Sequence, residues 1–468
     1  MKRLLKNKKI TGNTILLICL AGWYLFAWSW VFSTDNLDLA NSNLVGMIIA
    51  FWVITFNTAI ALFVVGRTFK LLKFKFKKTN PWLIILVGLP VFAFMDFFIV
   101  WLTAIIWIGP EGSIDNVMPF ISPAMILINT PLKYAARVIG FYGLAAFFWL
   151  LIFTLSIKKY RKLSFVCGFV LALFSTVGYV AYSNTTSSNI NAIIISEELK
   201  GHVGVIYNAD TDLVVFPEYG LDKITDDNLQ TRLAENNDKK TYFIGSQQRN
   251  LDDPNQGHFN SLIFGDNKNG ISSFQDKYRL IPAGEDLSYA MKLALILSFR
   301  NETIDYFGYS KKIIKGSKQL TPIKINDNAV LGAAVCSSII SPEDYRHLTK
   351  NGSTLLSNSA SLTIFKGSRV FAWQQKTLAR FMAISNYRYF LQSANSAPAF
   401  MLDENGNQQV EVNGKQAKEV TVKNYKNKTI YTIMGEWLSA IGAIIVLIWG
   451  FDFIWQRWFK GKKSRVIK

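Results

Sequence analysis

Residues 329–346 read AVLGAAVCSSIISPEDYR. An apolar run stops at Val335, a lone cysteine and two serines follow, and Pro342 opens a polar stretch. Continuous apolar runs bounded by turn residues are the pattern of strands buried on both faces. Five similar runs surround this one: NAIIIS at 191–196, DLVVFP at 212–217, TYFIGS at 241–246, SLIFG at 261–265 and STLLSN at 353–358. Two further stretches, 286–300 (DLSYAMKLALILSFR) and 373–390 (WQQKTLARFMAISNYRYF), carry helical patterning. An α/β domain is therefore expected over 184–428, a length ample for one core.

The rest of the chain has a different composition. Windows 11–32, 43–66, 81–107, 138–157, 164–183 and 429–455 are apolar and near or beyond the length that crosses a bilayer as helix. Six spans are expected, five before the α/β domain and one after it. The domains read as a membrane domain at 1–183, the α/β domain at 184–428, and a last span with a basic tail at 429–468. Segment 117–137 holds three prolines and Lys133. It is expected as an irregular or re-entrant arm that does not cross. Residues 1–32 have the basic start of a signal peptide, but the apolar run exceeds its usual length, so a retained anchor is expected.

Charge separates the function classes. The net charge is +19, which calls for a test of nucleic-acid binding. Four clusters flanking the spans, at 1–9, 67–78, 158–162 and 456–468, hold 21 basic residues and no acid. The remaining chain has 30 basic against 32 acidic residues. The positive-inside rule accounts for that placement without any nucleic acid. It puts the termini in the cytoplasm, loops 33–42 and 108–116 outside, and the α/β domain on the extracytoplasmic side. Twelve of 13 tryptophans lie outside 184–428, in keeping with interface enrichment. Three histidines and three cysteines argue against a metal site and a disulfide scaffold. No P-loop or dinucleotide fingerprint is present, so no cofactor and no metal are expected. Nothing marks a partner surface, and a monomer is the default.

Three residues at strand ends carry the candidate chemistry. Cys336 is the only cysteine of the exported domain, and is either a buried structural thiol or a nucleophile. Glu218 ends the run LVVFP. A carboxylate at a buried strand end has a raised pKa and can serve as general base; the alternative is a surface turn acid. Lys277, in DKYRLIPAGED, can stabilise an oxyanion or be a plain exposed lysine. Glu285 could orient Lys277 or relay a proton. Asp96, inside the span 81–107, could line a lipid-access cavity or make a bundle-interior hydrogen bond.

Glu218 in VVFPEYGL, Lys277 in DKYRLIPAGE and Cys336 in AAVCSSIISPEDYR resemble the Glu–Lys–Cys triad of the nitrilase superfamily. With its membrane spans, the chain looks like the apolipoprotein N-acyltransferases, the membrane-embedded branch of that superfamily. HFNSLIFG at 258–265, LLSNSASL at 355–362, residues 373–406 and the arm at 118–143 match as well. Two N-terminal spans of many family members have no counterpart, and their loss as a pair preserves topology. The resemblance implies a multi-pass helical membrane domain plus an extracytoplasmic nitrilase-like α-β-β-α sandwich, in a bacterial cytoplasmic membrane. It implies a ping-pong transfer. Glu218 deprotonates Cys336, the thiolate takes an acyl chain from a phospholipid, and Lys277 with N–H groups near Ser337 holds the oxyanion. The N-terminal amine of a diacylglyceryl apolipoprotein is the acceptor. Glu285, Ser337, Ser338 and Asn358 are the expected supporting residues. The family's usual Tyr-Glu after the nucleophile reads Ser337-Ser338 here. Ser359, Met382, Ser385 and Gln392 also replace family residues, which leaves the chemistry expected and the substrates open. The competing readings are a membrane-tethered amidase, in which water resolves the thioester, and a non-catalytic relative that binds lipids or lipoproteins. The stretch 286–300 is either a lid that dips into lipid or a packed core helix.

Overall fold

The computed structural model describes residues 12–33, 43–77, 80–108, 118–182, 187–197, 210–221, 239–251, 256–282, 284–310, 312–365 and 367–455. The basic termini and the loops 34–42 and 109–117, on which the expected orientation rests, lie outside these residues.

Long apolar helices come first: α1 (Gly12–Trp28), α2 (Asn43–Lys75) and α3 (Trp82–Ile108). The arm then makes only short turns around Pro119–Ile121, α4 (Ala124–Leu127) and Pro131–Ala135. Its prolines sit at or just before the first position of each turn, where a missing N–H costs nothing. Helices α5 (Ala136–Ser156) and α6 (Arg161–Val180) lead into the sheet. Among the described residues, six helices are long and apolar enough to cross a membrane.

Two charged groups brace this bundle from inside. Asp96 on α3 accepts hydrogen bonds from Ser122 of the arm and from Trp149 Nε1 of α5, the latter at 2.8 Å. It is 2% exposed, so of the two readings the bundle-interior bond is the observed one. Helix α5 breaks at Gly140, where φ is 71°. The break frees two N–H groups, and both oxygens of Glu436 accept them, from Phe141 at 2.8 Å and Tyr142 at 3.0 Å. A carboxylate on freed amides at a helix start satisfies orphan donors and the helix dipole together.

The strands are β1 (Ser188–Ser196), β2 (Leu213–Val215), β3 (Tyr242–Asn250), β4 (His258–Asp266), β5 (Gly270–Asp276), β6 (Ile323–Lys324), β7 (Val330–Val335), β8 (Leu355–Ser361), β9 (Phe390–Asn395), β10 (Ala399–Leu402), β11 (Gln408–Val412) and β12 (Gln416–Asn424). Their order is β5-β4-β3-β2-β1-β9-β8-β7-β6, with β12 on β1 and β10–β11 beside β9. The two halves of this sheet meet at a single register pair, Ser196 with Ala394. The sheet curls there, so that Ile194, Val215 and Ile244 of one half share a core with Leu331, Ala333 and Leu391 of the other. The Ser393 hydroxyl stitches the seam: it accepts from Ile195 N–H at 2.9 Å and donates to the Val215 carbonyl at 2.6 Å.

Helices α7 (Tyr289–Leu297) and α8 (Asn301–Asp305) follow β5, α9 (Pro342–Lys350) follows β7, and α10 (Arg369–Asn386) follows β8. Among the described residues, α9 and α10 form the helical layer on the sheet. Helix α10 also packs on α5, so Phe381 and Leu378 belong to the same apolar core as Phe141 and Trp149. Membrane-type helices and sheet are thus one packed body. Short α11 (Ile430–Met434) and long α12 (Trp437–Trp455) close the chain, with α12 lying on α3.

Two expectations shift. The helix expected over 373–390 ends at Asn386, because Tyr387 takes φ 56° and turns the chain into β9. Strands β9 to β12 had no strand reading. The polar alternation of β12 hides it: only Val420, Val422 and Asn424 face inward.

Candidate active site

Glu218 follows β2 through Phe216 and Pro217, Lys277 follows β5, and Cys336 follows β7. The curl brings these three strand ends together. Lys277 Nζ lies 3.1 Å from Glu218 Oε1 and 2.7 Å from Glu285 Oε1. The Cys336 thiol lies beside the Glu218 carboxylate, close enough for each to shift the other's titration, and it donates to the Ser361 carbonyl at 3.4 Å. Glu218, Lys277 and Cys336 are 3, 3 and 4% exposed, so the constellation is closed to solvent.

Local backbone aims each group. Cys336 has φ 42°, a left-handed conformation that is strained for a side chain other than glycine. It turns the chain sharply from β7 into the turn Cys336–Ile340. Asn358 Nδ2 holds the Cys336 carbonyl at 3.4 Å, and the Tyr345 hydroxyl donates to Asn358 Oδ1 at 3.2 Å. The Ser337 hydroxyl donates to the Arg279 carbonyl. Ser338 is buried, and its carbonyl accepts from Ser341 N–H at 3.0 Å. Glu285 accepts from Ile281 N–H at 2.8 Å with its second oxygen, which orients the first on Lys277.

Several residues escaped the sequence reading. Asn260 donates to Glu218 Oε1 at 2.7 Å and to the Tyr219 hydroxyl oxygen at 3.1 Å. Asn395 donates to the Glu218 carbonyl at 2.6 Å. Arg279 makes a two-pronged pair with Asp344, at 3.0 Å on each prong, and so ties the Lys277 loop to α9 just beyond the cysteine. An Asn two residues into the strand HFNSLIFG was the available signal for Asn260; the Arg279–Asp344 pair had none, since its members are 65 residues apart.

Electrostatics follow from burial with one cation between two acids. Burial pushes the Glu218 carboxyl above its ordinary value, against the pull of Lys277. Burial works against the Lys277 charge, but the carboxylates of Glu218 and then Glu285 outweigh it and hold the ammonium protonated. Burial, with Glu218 beside it, holds the Cys336 thiol well up, so the resting sulfur carries its proton and needs a base. Glu218 is the group in place to take it. A base must be ionised, so kcat/KM is expected to fall on the acid side with a midpoint above the ordinary 4.5 of a glutamate. A pH–rate profile whose acid limb sits at or below that value contradicts a raised Glu218.

The Lys277 ammonium has three N–H donors and two protein partners among the described residues. The third can meet an oxyanion. A thiol beside a carboxylate, and a cation fixed at hydrogen-bond distance from that carboxylate, are the parts of acyl transfer through a thioester. The described residues contain no cluster of metal-ligating side chains.

The site is thus a buried thiol, carboxylate and ammonium gathered at three strand ends of one curled α/β sheet. Residues 192–423 match the model of the carbon-nitrogen hydrolase family. No curated protein matches. Among solved structures, a carbon-nitrogen hydrolase superfamily protein of Xanthomonas campestris is similar at 17% identity, TM-score 0.36, over 50% of this chain and 91% of its own. Nit3 of Saccharomyces cerevisiae, a nitrilase superfamily member, is similar at 13% identity and TM-score 0.36, over 53% of this chain and 94% of its own. The amidase of Nesterenkonia sp. AN1 is similar at 10% identity and TM-score 0.33, over 50% and 92%.

Proposed function

We propose that the chain is a membrane-embedded acyltransferase that moves a fatty acyl chain from a phospholipid, through a thioester on Cys336, to the N-terminal amine of a diacylglyceryl apolipoprotein. The observation that carries the reading is the join between site and membrane-type helices. The loop bearing Glu285 runs straight into α7, which touches α3. Only Leu295 of α7 is buried, so it is not a packed core helix. Leu293, Ile296 and Leu297 are exposed, and Phe299 beyond them is 91% exposed. An apolar edge beside a closed thiol suits a substrate that arrives from lipid and a cover that moves.

In this mechanism Glu218 takes the Cys336 proton and the thiolate attacks the ester carbonyl. Lys277 and N–H groups at the Cys336–Ile340 turn stabilise the oxyanion. Glu218 returns the proton to the leaving lysophospholipid. The acceptor amine then attacks the thioester, gives a proton to Glu218, and the thiol is restored. In this reading the domain faces the extracytoplasmic side of a bacterial cytoplasmic membrane, a side supported by the basic clusters that flank the apolar helices. At the departures from the family, Ser359, Ser385 and Gln392 each keep a buried oxygen without a partner among the described residues, and Met382 is fully buried.

The test is to incubate the purified protein with labelled phosphatidylethanolamine and a diacylglyceryl-cysteine peptide, and to weigh the peptide. An added acyl mass is the expected result. Free fatty acid with lysophospholipid and no acylated peptide points to the hydrolase, in which water resolves the thioester. No acyl adduct on a folded protein overturns both.

A further inference from the structure

The mechanism leaves one cleft unused. It lies between the arm and the wall made by α10 and the turn joining β10 to β11, with Asn129, Lys133 and Tyr134 on one side and Arg380, Gly406 and Asn407 on the other. Its volume is about 480 Å³ and it is open to solvent. Lys133 and Arg380 are half-buried and near enough to repel each other.

Neither cation has an anionic partner among the described residues. Lys133 Nζ donates to Asn407 Oδ1 at 2.8 Å. Arg380 Nε donates to the Gly406 carbonyl at 2.8 Å, and Nη1 to Asn129 Oδ1. The nearby acid is already engaged. Asp403 accepts from Asn405 N–H at 2.9 Å, Asn407 N–H at 2.7 Å, Asn407 Nδ2 at 3.1 Å and Gln409 Nε2 at 2.7 Å. Arg137, close behind, donates only to neutral oxygens, of Ile384, Gly178, Glu404 and Asn405. Two N–H groups of Lys133 and Nη2 of Arg380 remain without protein partners among the described residues, around a cavity of polar amides. Converging cations held open by neutral acceptors lack one thing, an oxyanion with several acceptor atoms.

We propose that this cleft binds a phosphate group, presented by a phospholipid headgroup or as the free anion. Its place favours the lipid. The Tyr134 ring packs tilted against Tyr179, centroids 5.0 Å apart, where the arm meets the last turn of α6. Tyrosines at the ends of apolar helices mark the headgroup level. The site is separate from the thiol and does not depend on acyl transfer.

The experiment uses the full chain in detergent, with dioctanoyl phosphatidylglycerol, dioctanoylglycerol and inorganic phosphate as probes. Binding is read by thermophoresis, and acetylation of Lys133 by mass spectrometry. The phospholipid is expected to bind and to slow Lys133 acetylation about fivefold or more, while dioctanoylglycerol, which lacks the phosphate, does not protect it. Protection by inorganic phosphate as well assigns the site to the free anion too; protection by the lipid alone assigns it to headgroups. Lys133→Gln with Arg380→Gln is expected to weaken binding about tenfold or more, and Lys133→Arg to retain it, since a charge-assisted contact is worth about that factor. Undiminished affinity in the folded double variant overturns the proposal. So does unprotected Lys133 in the unaltered protein at saturating lipid, a measurement that needs no variant to fold.

Discussion

A Cys336→Ala protein is expected to lose acyl transfer by roughly 10⁴–10⁶-fold, the cost of removing a nucleophile from a site whose other parts act only through it. The unaltered protein should carry a hydroxylamine-labile acyl group after exposure to labelled phospholipid, and the variant none. The fold should tolerate the change. The sulfur's carbonyl contact is Ser361 O at 3.4 Å, a weak bond. The cavity left by one sulfur atom costs about 1–2 kcal/mol. Loss of activity with a preserved unfolding midpoint therefore isolates the chemistry. A variant that keeps more than about a hundredth of the rate would move the nucleophile elsewhere, since no partial function is left to a site of this type without its thiol.

Lys277→Met should be costly in a different way. The ammonium sits between two carboxylates, at 3.1 and 2.7 Å, and none of the three side chains is more than 9% exposed. Removing the cation leaves two acids with no counter-charge in a buried site. Breaking a buried pair of this kind costs about 3–5 kcal/mol, and the oxyanion partner goes with it. The pH dependence has a definite sign. In the variant Glu218, already raised by burial, loses the opposing pull of Lys277 and stands further above its unfolded value, so its protonation stabilises the fold. The deficit against the unaltered protein should be large near neutral pH and shrink as the acids take up protons toward pH of about 5. A deficit that does not change with pH, or no deficit at all, would mean that Lys277 is not the charge that balances Glu218 and Glu285.

Much of the α/β half was legible because burial on both faces leaves a continuous apolar signature. The runs at 191–196, 212–217, 241–246, 261–265, 329–335 and 353–358 all fall on strands β1 to β4, β7 and β8. Strands β11 and β12 were not legible, for they are mostly exposed and alternate with lysines and glutamates; β9 and β10 are buried but short, and the start of β9 continues the helical pattern of 373–390. Candidate chemical groups stood out where a titratable residue interrupted an apolar strand end, as at Glu218 and Cys336. Asn260 inside a strand and Arg279 in a loop did not, because an amide or a guanidinium gains its role from a partner far away in the chain.

Composition and pattern alone determined that the chain has apolar helices long enough for a bilayer, basic flanks around them, and one α/β domain with a single thiol. These are local properties, written in runs of 10 to 30 residues. Only the tertiary structure decided that Glu218, Lys277 and Cys336 meet, that Asp96 is a brace, and that Lys133 faces Arg380 across a cleft. Those facts depend on the sheet curling at the one-residue seam between β1 and β9 and on α10 packing against α5. Contacts across such distances are set by how whole faces fit together, and no short stretch of sequence carries that information.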